Sequence, residues 1–200
     1  MIVTVAVGLK GNSKAAGQPR LPAYFYRLPV RTQRIWLKSD SIDHFDLVPD
    51  ATASGLSVSL MSALQSGTPL LIERAAQELV TVVCTSVAVN PVRVQVRGVR
   101  PHNTRGELHG IFYPRGPSVR AGAPLIILWM RTAQRHEVVK PKTFLRTLMH
   151  ELGHYLDYAL LGLGESFHTT GFFRRESFLV RMLTPSERSK TSNARTNPQQ

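Results

Sequence analysis

A five-residue run, His150-Glu151-Leu152-Gly153-His154, constrains this 200-residue chain more than any other stretch. Two histidines four positions apart lie about 40° apart around an α-helix, so both imidazoles can reach one metal ion. The glutamate between them sits close enough to take a proton from a water held by that ion. Helical context is present. Phe144, Leu145, Leu148, Met149, Leu152, Leu156 and Leu160 make one broad apolar stripe, which predicts a helix opening near Pro141 to Thr143. Gly162 and Gly164 are expected to stop it.

Two histidines do not complete a zinc site, because a catalytic zinc takes three protein ligands and keeps one position for water. Three candidates follow the motif. Asp157 lies seven residues past His150, about 20° away on the same face, one or two turns beyond the ligands. There it is better placed to hydrogen-bond an imidazole or cap a neighbouring element than to reach the ion. His168 heads the segment His168-Thr169-Thr170-Gly171-Phe172-Phe173, just before a short helix expected over about Phe172 to Leu183. Glu176 falls in the middle of that helix's apolar face, among Phe172, Phe173, Leu179, Val180 and Leu183. An unpaired carboxylate there would cost several kcal/mol, so Glu176 is expected to bind metal, accept hydrogen bonds or pair with a base such as Arg174 or Arg175.

The motif helix with strands before it resembles the zincin group of zinc metallopeptidases. The continuation His168-x-x-x-Phe172-Phe173 is similar to the SprT-like branch, where a histidine downstream of the motif heads a helix with an aromatic four residues on. That resemblance implies His150, His154 and His168 as zinc ligands and Glu151 as catalytic base. The glutamate-zincin (gluzincin) pattern instead implies Glu176 as the third ligand. Weaker likenesses are to ImmA/IrrE-type peptidases, which also carry a helix ending in Leu-x-Pro, and, through Gly153 and Asp157, to the lethal-factor type of motif helix. The match covers roughly residues 141–185. The chain lacks the zinc ribbon often found in SprT-like proteins, and Leu160 occupies the third-histidine position of the long metzincin motif. The activity implied is zinc-dependent endopeptidase chemistry on a protein or peptide substrate, with Zn2+ polarising the scissile carbonyl and Glu151 serving as general base.

Upstream, the pattern predicts an α+β domain: a mostly antiparallel sheet, a helix before it, the motif helix, and a short C-terminal helix. Thr68-Pro69 opens the first helix, with Leu71, Ile72, Ala75, Leu79, Val82 and Val83 as its apolar face, and Asn90-Pro91 ends it. Val92, Val94 and Val96 alternate with Arg93, Gln95 and Arg97, the period of a strand with one buried face. Glu107 to Tyr113 is a second strand. Pro124 to Met130, apolar throughout, is a central one, with a Pro- and Gly-rich loop from Pro114 to Pro124 between them. The first nine residues read as a strand or an ordinary terminus. Residues 1–34 are expected to form an irregular arm with an aromatic patch at Tyr24-Phe25-Tyr26. Residues 35–185 are expected to form the zincin-like domain, and 186–200 a disordered tail.

Composition narrows the alternatives. The single cysteine, Cys84, excludes an intrachain disulfide and a cysteine-based zinc ribbon, and fits a reducing, cytoplasmic setting. No apolar stretch approaches the roughly 20 residues of a membrane span, so no membrane association is expected. The net charge of +12 is uneven: residues 91–150 carry eleven Lys/Arg against two acids. Such a segment attracts polyanions, and a non-catalytic, zinc-stabilised protein holding nucleic acid or an acidic partner there is the competing expectation. Oligomeric state is not legible in the sequence.

Overall fold

A computed structural model describes residues 2–5, 21–47, 51–104, 106–116 and 122–184. In chain order its elements are β1 (Ile2–Val5), α1 (Val30–Asp40), α2 (Ala51–Gln65), α3 (Pro69–Ser86), β2 (Arg93–Val99), β3 (His102–Asn103), β4 (Gly106–Tyr113), β5 (Leu125–Arg131), α4 (Pro141–Ala159) and α5 (Thr170–Leu183). A 3-10 turn over Ala23–Arg27 precedes α1. The fold is α+β.

The sheet runs β1-β4-β5-β2, with the short β3 paired to β4. β2 and β5 are parallel, with Val94 opposite Ile126 and Val96 opposite Leu128. β4 is antiparallel to β5, with Gly110 opposite Leu128, and β1 is antiparallel to β4. Leu125 to Met130 are all buried. Alternate residues explain why: Ile126, Leu128 and Met130 enter the main core beneath the helices. Leu125, Ile127 and Trp129 join Ile111 in a smaller cluster on the opposite face. A strand covered on both faces needs a continuous apolar run, whereas β2, covered on one, alternates. The free edge of β2 is closed by α3: Val96 N–H donates to Glu73 Oε2 and Val94 N–H to Gln77 Oε1, each at 2.8 Å. Side chains thus satisfy backbone donors that would otherwise invite another strand.

Three sequence expectations need correction. Of the supposed irregular arm, residues 1–34, the described part carries strand β1, the 3-10 turn and the first turn of α1. Phe25 and Trp36 are buried against each other with ring centroids 6.1 Å apart, so this segment is packed. Three helices precede β2, where the pattern predicted one. The stripe of α3 is also rotated: Ile72, Ala75, Ala76, Leu79, Val80, Val83 and Cys84 are buried, while Leu71 is 46% exposed. The tail expected over 186–200 lies outside the described residues. No helix among the described residues is long and apolar enough to cross a membrane.

α4 lies across the sheet, burying Phe144, Leu145, Leu148, Met149, Leu152 and Leu156. α5 packs beside it and begins two residues earlier than the periodicity suggests, because the Thr169 hydroxyl caps it by accepting from Phe172 N–H at 3.0 Å. Its first turn rests on the C-terminal end of α1. A Cβ on Gly171 would lie 2.5 Å from the Ser39 carbonyl oxygen and 2.6 Å from that of Asp40, so this contact requires glycine.

Candidate metal centre

The middle of α4 is buried on every side, from His150 through Asp157. A helix segment that carries His, Glu, His and Asp into a core must satisfy each polar group locally, and the loop and helix that follow do so.

His150, His154 and His168 form one cluster whose candidate ligand atoms all lie within 4.8 Å of one another. His168 Nε2 is 3.0 Å from His150 Nε2 and 3.0 Å from His154 Nε2. His150 and His154 are buried, whereas His168 is exposed and forms the solvent-facing side of the cluster. Phe172 stacks on His154 with centroids 4.5 Å apart, and Phe173 lies parallel to His168 at 5.7 Å. Aromatic faces thus fix the rings from the sides.

Partners of the far ring nitrogens fix the tautomers. His150 Nδ1 lies 3.0 Å from Glu176 Oε2. Burial raises the Glu176 carboxyl's pKa, but the His150 hydrogen bond and the nearby Arg146 outweigh it, so the net direction is down and the group is an ionised acceptor. His150 Nδ1 must therefore donate. His154 Nδ1 lies 2.7 Å from Ser166 Oγ, and Ser166 spends its own hydrogen on Asp157 Oδ2 at 2.6 Å. His154 Nδ1 must donate too. In a neutral imidazole the other nitrogen is then a lone pair, so both Nε2 atoms of α4 turn lone pairs toward His168 Nε2. One proton on His168 could bond only one of them, whereas a cation satisfies all three.

Burial favours the neutral form of His154 and His168, the form that binds metal. Burial, then the neighbouring His150 and His168 and the charge of Arg175, hold His154 well below the ordinary histidine pKa. Burial and His150 bring His168 to about 4, against an opposing pull from Glu176. Tetrahedral zinc with nitrogen ligands at about 2.0–2.1 Å spaces those nitrogens roughly 3.3–3.4 Å apart, close to the separations here. The donor set fits a zinc-like cation.

Glu151 is fully buried on the same helical turn. Strand β4 crosses over it at Gly110, where a Cβ would lie 2.9 Å from Glu151 Oε1 and 2.8 Å from Thr147 Cγ2. Only glycine lets the strand approach this closely. A glycine inside the predicted strand Glu107 to Tyr113 was the available signal for it.

The structure thus brings together His150, His154 and His168, and sets Glu176 behind His150, outside the three-nitrogen cluster. Besides His150, Glu176 pairs with a basic residue elsewhere in the chain, Arg146, whose Nε donates to Oε1 at 2.7 Å, rather than with its neighbours Arg174 and Arg175. Asp157 is also outside the cluster and reaches His154 through Ser166, a loop residue that no sequence pattern singles out. Arg175 is fully buried and donates from Nη2 to Asp157 Oδ1 at 2.9 Å. Several cations of the basic 91–150 segment are consumed internally. Arg100 is buried against Glu107, Arg131 holds the His136 and Gly67 carbonyls, and Arg146 pairs with Glu176.

Compared with protein-family models, curated proteins and solved structures, the chain gives no match, so its chemistry rests on this geometry.

Proposed function

We propose that the chain is a zinc-dependent metallopeptidase of the zincin kind, hydrolysing peptide bonds with Glu151 as general base. The observation that carries this reading is the convergence of three imidazole Nε2 atoms beside a buried glutamate on the same helical turn. His150, His154 and His168 would hold the cation. Because Glu176 is engaged by His150 Nδ1 and Arg146, the described residues offer three ligands, and a three-ligand site keeps a position for water.

Zinc held by His150, His154 and His168 would supply Lewis acidity for activating a water and polarising the carbonyl. The rest belongs to the protein. Glu151 accepts the proton that the attacking water gives up and returns it to the departing amine. Its confinement between α4 and Gly110 holds the carboxylate in place. Glu176 and Ser166 keep Nδ1 protonated on His150 and His154, leaving their Nε2 lone pairs free for the cation. Phe172 and Phe173 shield the ring faces from solvent.

Zinc analysis and proteolysis test the reading together. The purified chain should carry about one zinc, and should cleave an unstructured protein such as casein in a manner lost to a chelator and restored by zinc. Glu151→Gln should keep the zinc and lose roughly 1,000-fold or more in hydrolysis, since a general base contributes on the order of 100- to 10,000-fold. Undiminished turnover in Glu151→Gln would remove Glu151 as base. A wild-type chain that takes up no zinc would end the metal reading altogether.

A further inference from the structure

We propose that Ser166, Asp157 and Arg175 form a positioning relay that sets the ring of His154 from the backbone of α1, so that Ser166 governs metal affinity without touching the metal. The proposal rests on the three-histidine cluster being a metal site. Neither the motif nor the resemblance names Ser166 or Arg175.

The relay can be followed atom by atom. His154 Nδ1 donates to Ser166 Oγ at 2.7 Å, and Ser166 Oγ donates to Asp157 Oδ2 at 2.6 Å. Arg175 Nη2 donates to the other carboxylate oxygen, Asp157 Oδ1, at 2.9 Å and to Ser39 Oγ at 3.0 Å. Arg175 Nη1 donates to the Ser39 carbonyl at 2.6 Å and to the Ile42 carbonyl. His154, Asp157 and Arg175 have no exposed surface and Ser166 has 7%. The ends of the chain of bonds are therefore fixed: an imidazole at the cluster, and the main-chain carbonyls of Ser39 in the last turn of α1 and Ile42 just past its end.

Ser166 is the link with a choice. A hydroxyl both donates and accepts, and its direction is set by whichever neighbour can only accept. Burial pushes the pKa of the Asp157 carboxyl up, and Arg175 and Ser166 pull against that shift. With Arg175 Nη2 donating to Oδ1, the other oxygen, Oδ2, takes the Ser166 hydrogen. The Ser166 oxygen can then only accept, which forces the hydrogen of His154 onto Nδ1 and the lone pair onto Nε2. Without the hydroxyl, the ring keeps its stacking on Phe172 but loses both its tautomer lock and its torsional restraint. Loss of such a supporting hydrogen bond usually costs 10- to 100-fold in metal affinity.

Zinc affinity of the wild type, Ser166→Ala and Ser166→Thr, measured by competition with a chromogenic chelator, tests the relay alongside thermal melts of the metal-free forms. We expect Ser166→Ala to weaken zinc 10- to 100-fold and to lower the metal-free melting temperature modestly, since Asp157 Oδ2 and His154 Nδ1 lose a buried partner. Ser166→Thr, which restores the hydroxyl, should recover most of that loss. Wild-type affinity in Ser166→Ala overturns the relay and leaves the metal site standing. So does a loss in Ser166→Ala that tracks a matching fall in metal-free stability and is not recovered by threonine. If the wild type itself binds no zinc, the site reading fails first, and the two failures are distinguishable.

Discussion

His150 and His154 lie one turn apart on α4, yet opposite kinds of support stand behind them. Behind His150 is a carboxylate in direct contact, Glu176, whose other oxygen is held by Arg146, a side chain 58% exposed. Behind His154 is a neutral hydroxyl, then the fully buried pair Asp157–Arg175, then the backbone of α1. One imidazole is braced from the rim, with charge adjacent to the ring. The other is braced from the core, with charge a residue removed. The core brace is bound up with folding itself, because Arg175 joins α1, α4 and α5. The rim brace can be altered with little effect on the fold.

The sharpest way to break this contrast is at Arg175. A buried guanidinium is tolerated only because its acceptors are fixed around it, and removing one partner of such a pair leaves the other charge stranded. Arg175→Ala should cost about 3–5 kcal/mol of stability, measured by urea unfolding of the metal-free protein, because Asp157 stays behind without its cation. A loss under about 1 kcal/mol would mean that Asp157 is relieved by other means and that the core brace is weaker than its burial suggests.

Glu176→Gln attacks the rim brace in the same assay and in zinc competition. The amide keeps the shape and can still accept from His150 Nδ1, but it removes the negative charge that strengthens the ring as a donor to metal. Zinc affinity should fall roughly tenfold, equivalent to about 1.4 kcal/mol, with only a small change in metal-free stability. A large fall in stability together with unchanged affinity would reverse the assignment of the two braces.

Much of this was legible in the sequence, and what was missed has physical reasons. α4, β2 and β5 announce themselves because each buries large apolar side chains at its own period. α1 does not: it buries only Trp36 and Ser39 and presents Arg31, Arg34 and Lys38 to solvent, so it reads as a basic arm. α2 is obscured for another reason. It is rich in serine and small residues, and the face it buries includes Ala53 and Ser57. At the site, the motif and His168 are visible because ligands must be of few residue types. Glu176 stood out as a carboxylate on an apolar face, and the geometry gives it a partner in His150. Arg175 is on the same helix but passes for a solvated surface residue. Its burial depends on carbonyls of Ser39 and Ile42, more than 130 positions away, which no local pattern encodes. Ser166 sits in a loop, where serine is unremarkable.

Acidity separates His154 from His168 by another route. The fold holds His154 far below 6.5 and His168 at about 4, while in the unfolded chain both take up protons near 6.5. A depressed pKa means that the stability of the metal-free protein is complete above about 6.5 and is lost as the pH falls toward the folded values. Melting temperature should therefore drop between pH 7.5 and pH 5. His168 is exposed and solvent screens it, so most of this slope should come from His154. His154→Gln should flatten the profile more than His168→Ala does. Equal flattening would show that the core position of His154 confers no special sensitivity.

The smallest effect should come from Arg146, and its smallness is informative. Arg146 Nε meets Glu176 Oε1 at 2.7 Å, a short charge-assisted contact, but most of its side chain is in water. Exposed ion pairs are usually worth about 0–1 kcal/mol, and Glu176 retains its bond from His150 when the arginine is gone. Arg146→Met should lower stability by under about 1 kcal/mol and weaken zinc by less than about threefold, a fraction of the Arg175→Ala penalty in the same urea assay. Should the two arginine variants prove equally damaging, exposure would not be what distinguishes the braces. The pairing of Glu176 with Arg146 would then have to be as integral to the fold as the buried Asp157–Arg175 network behind His154.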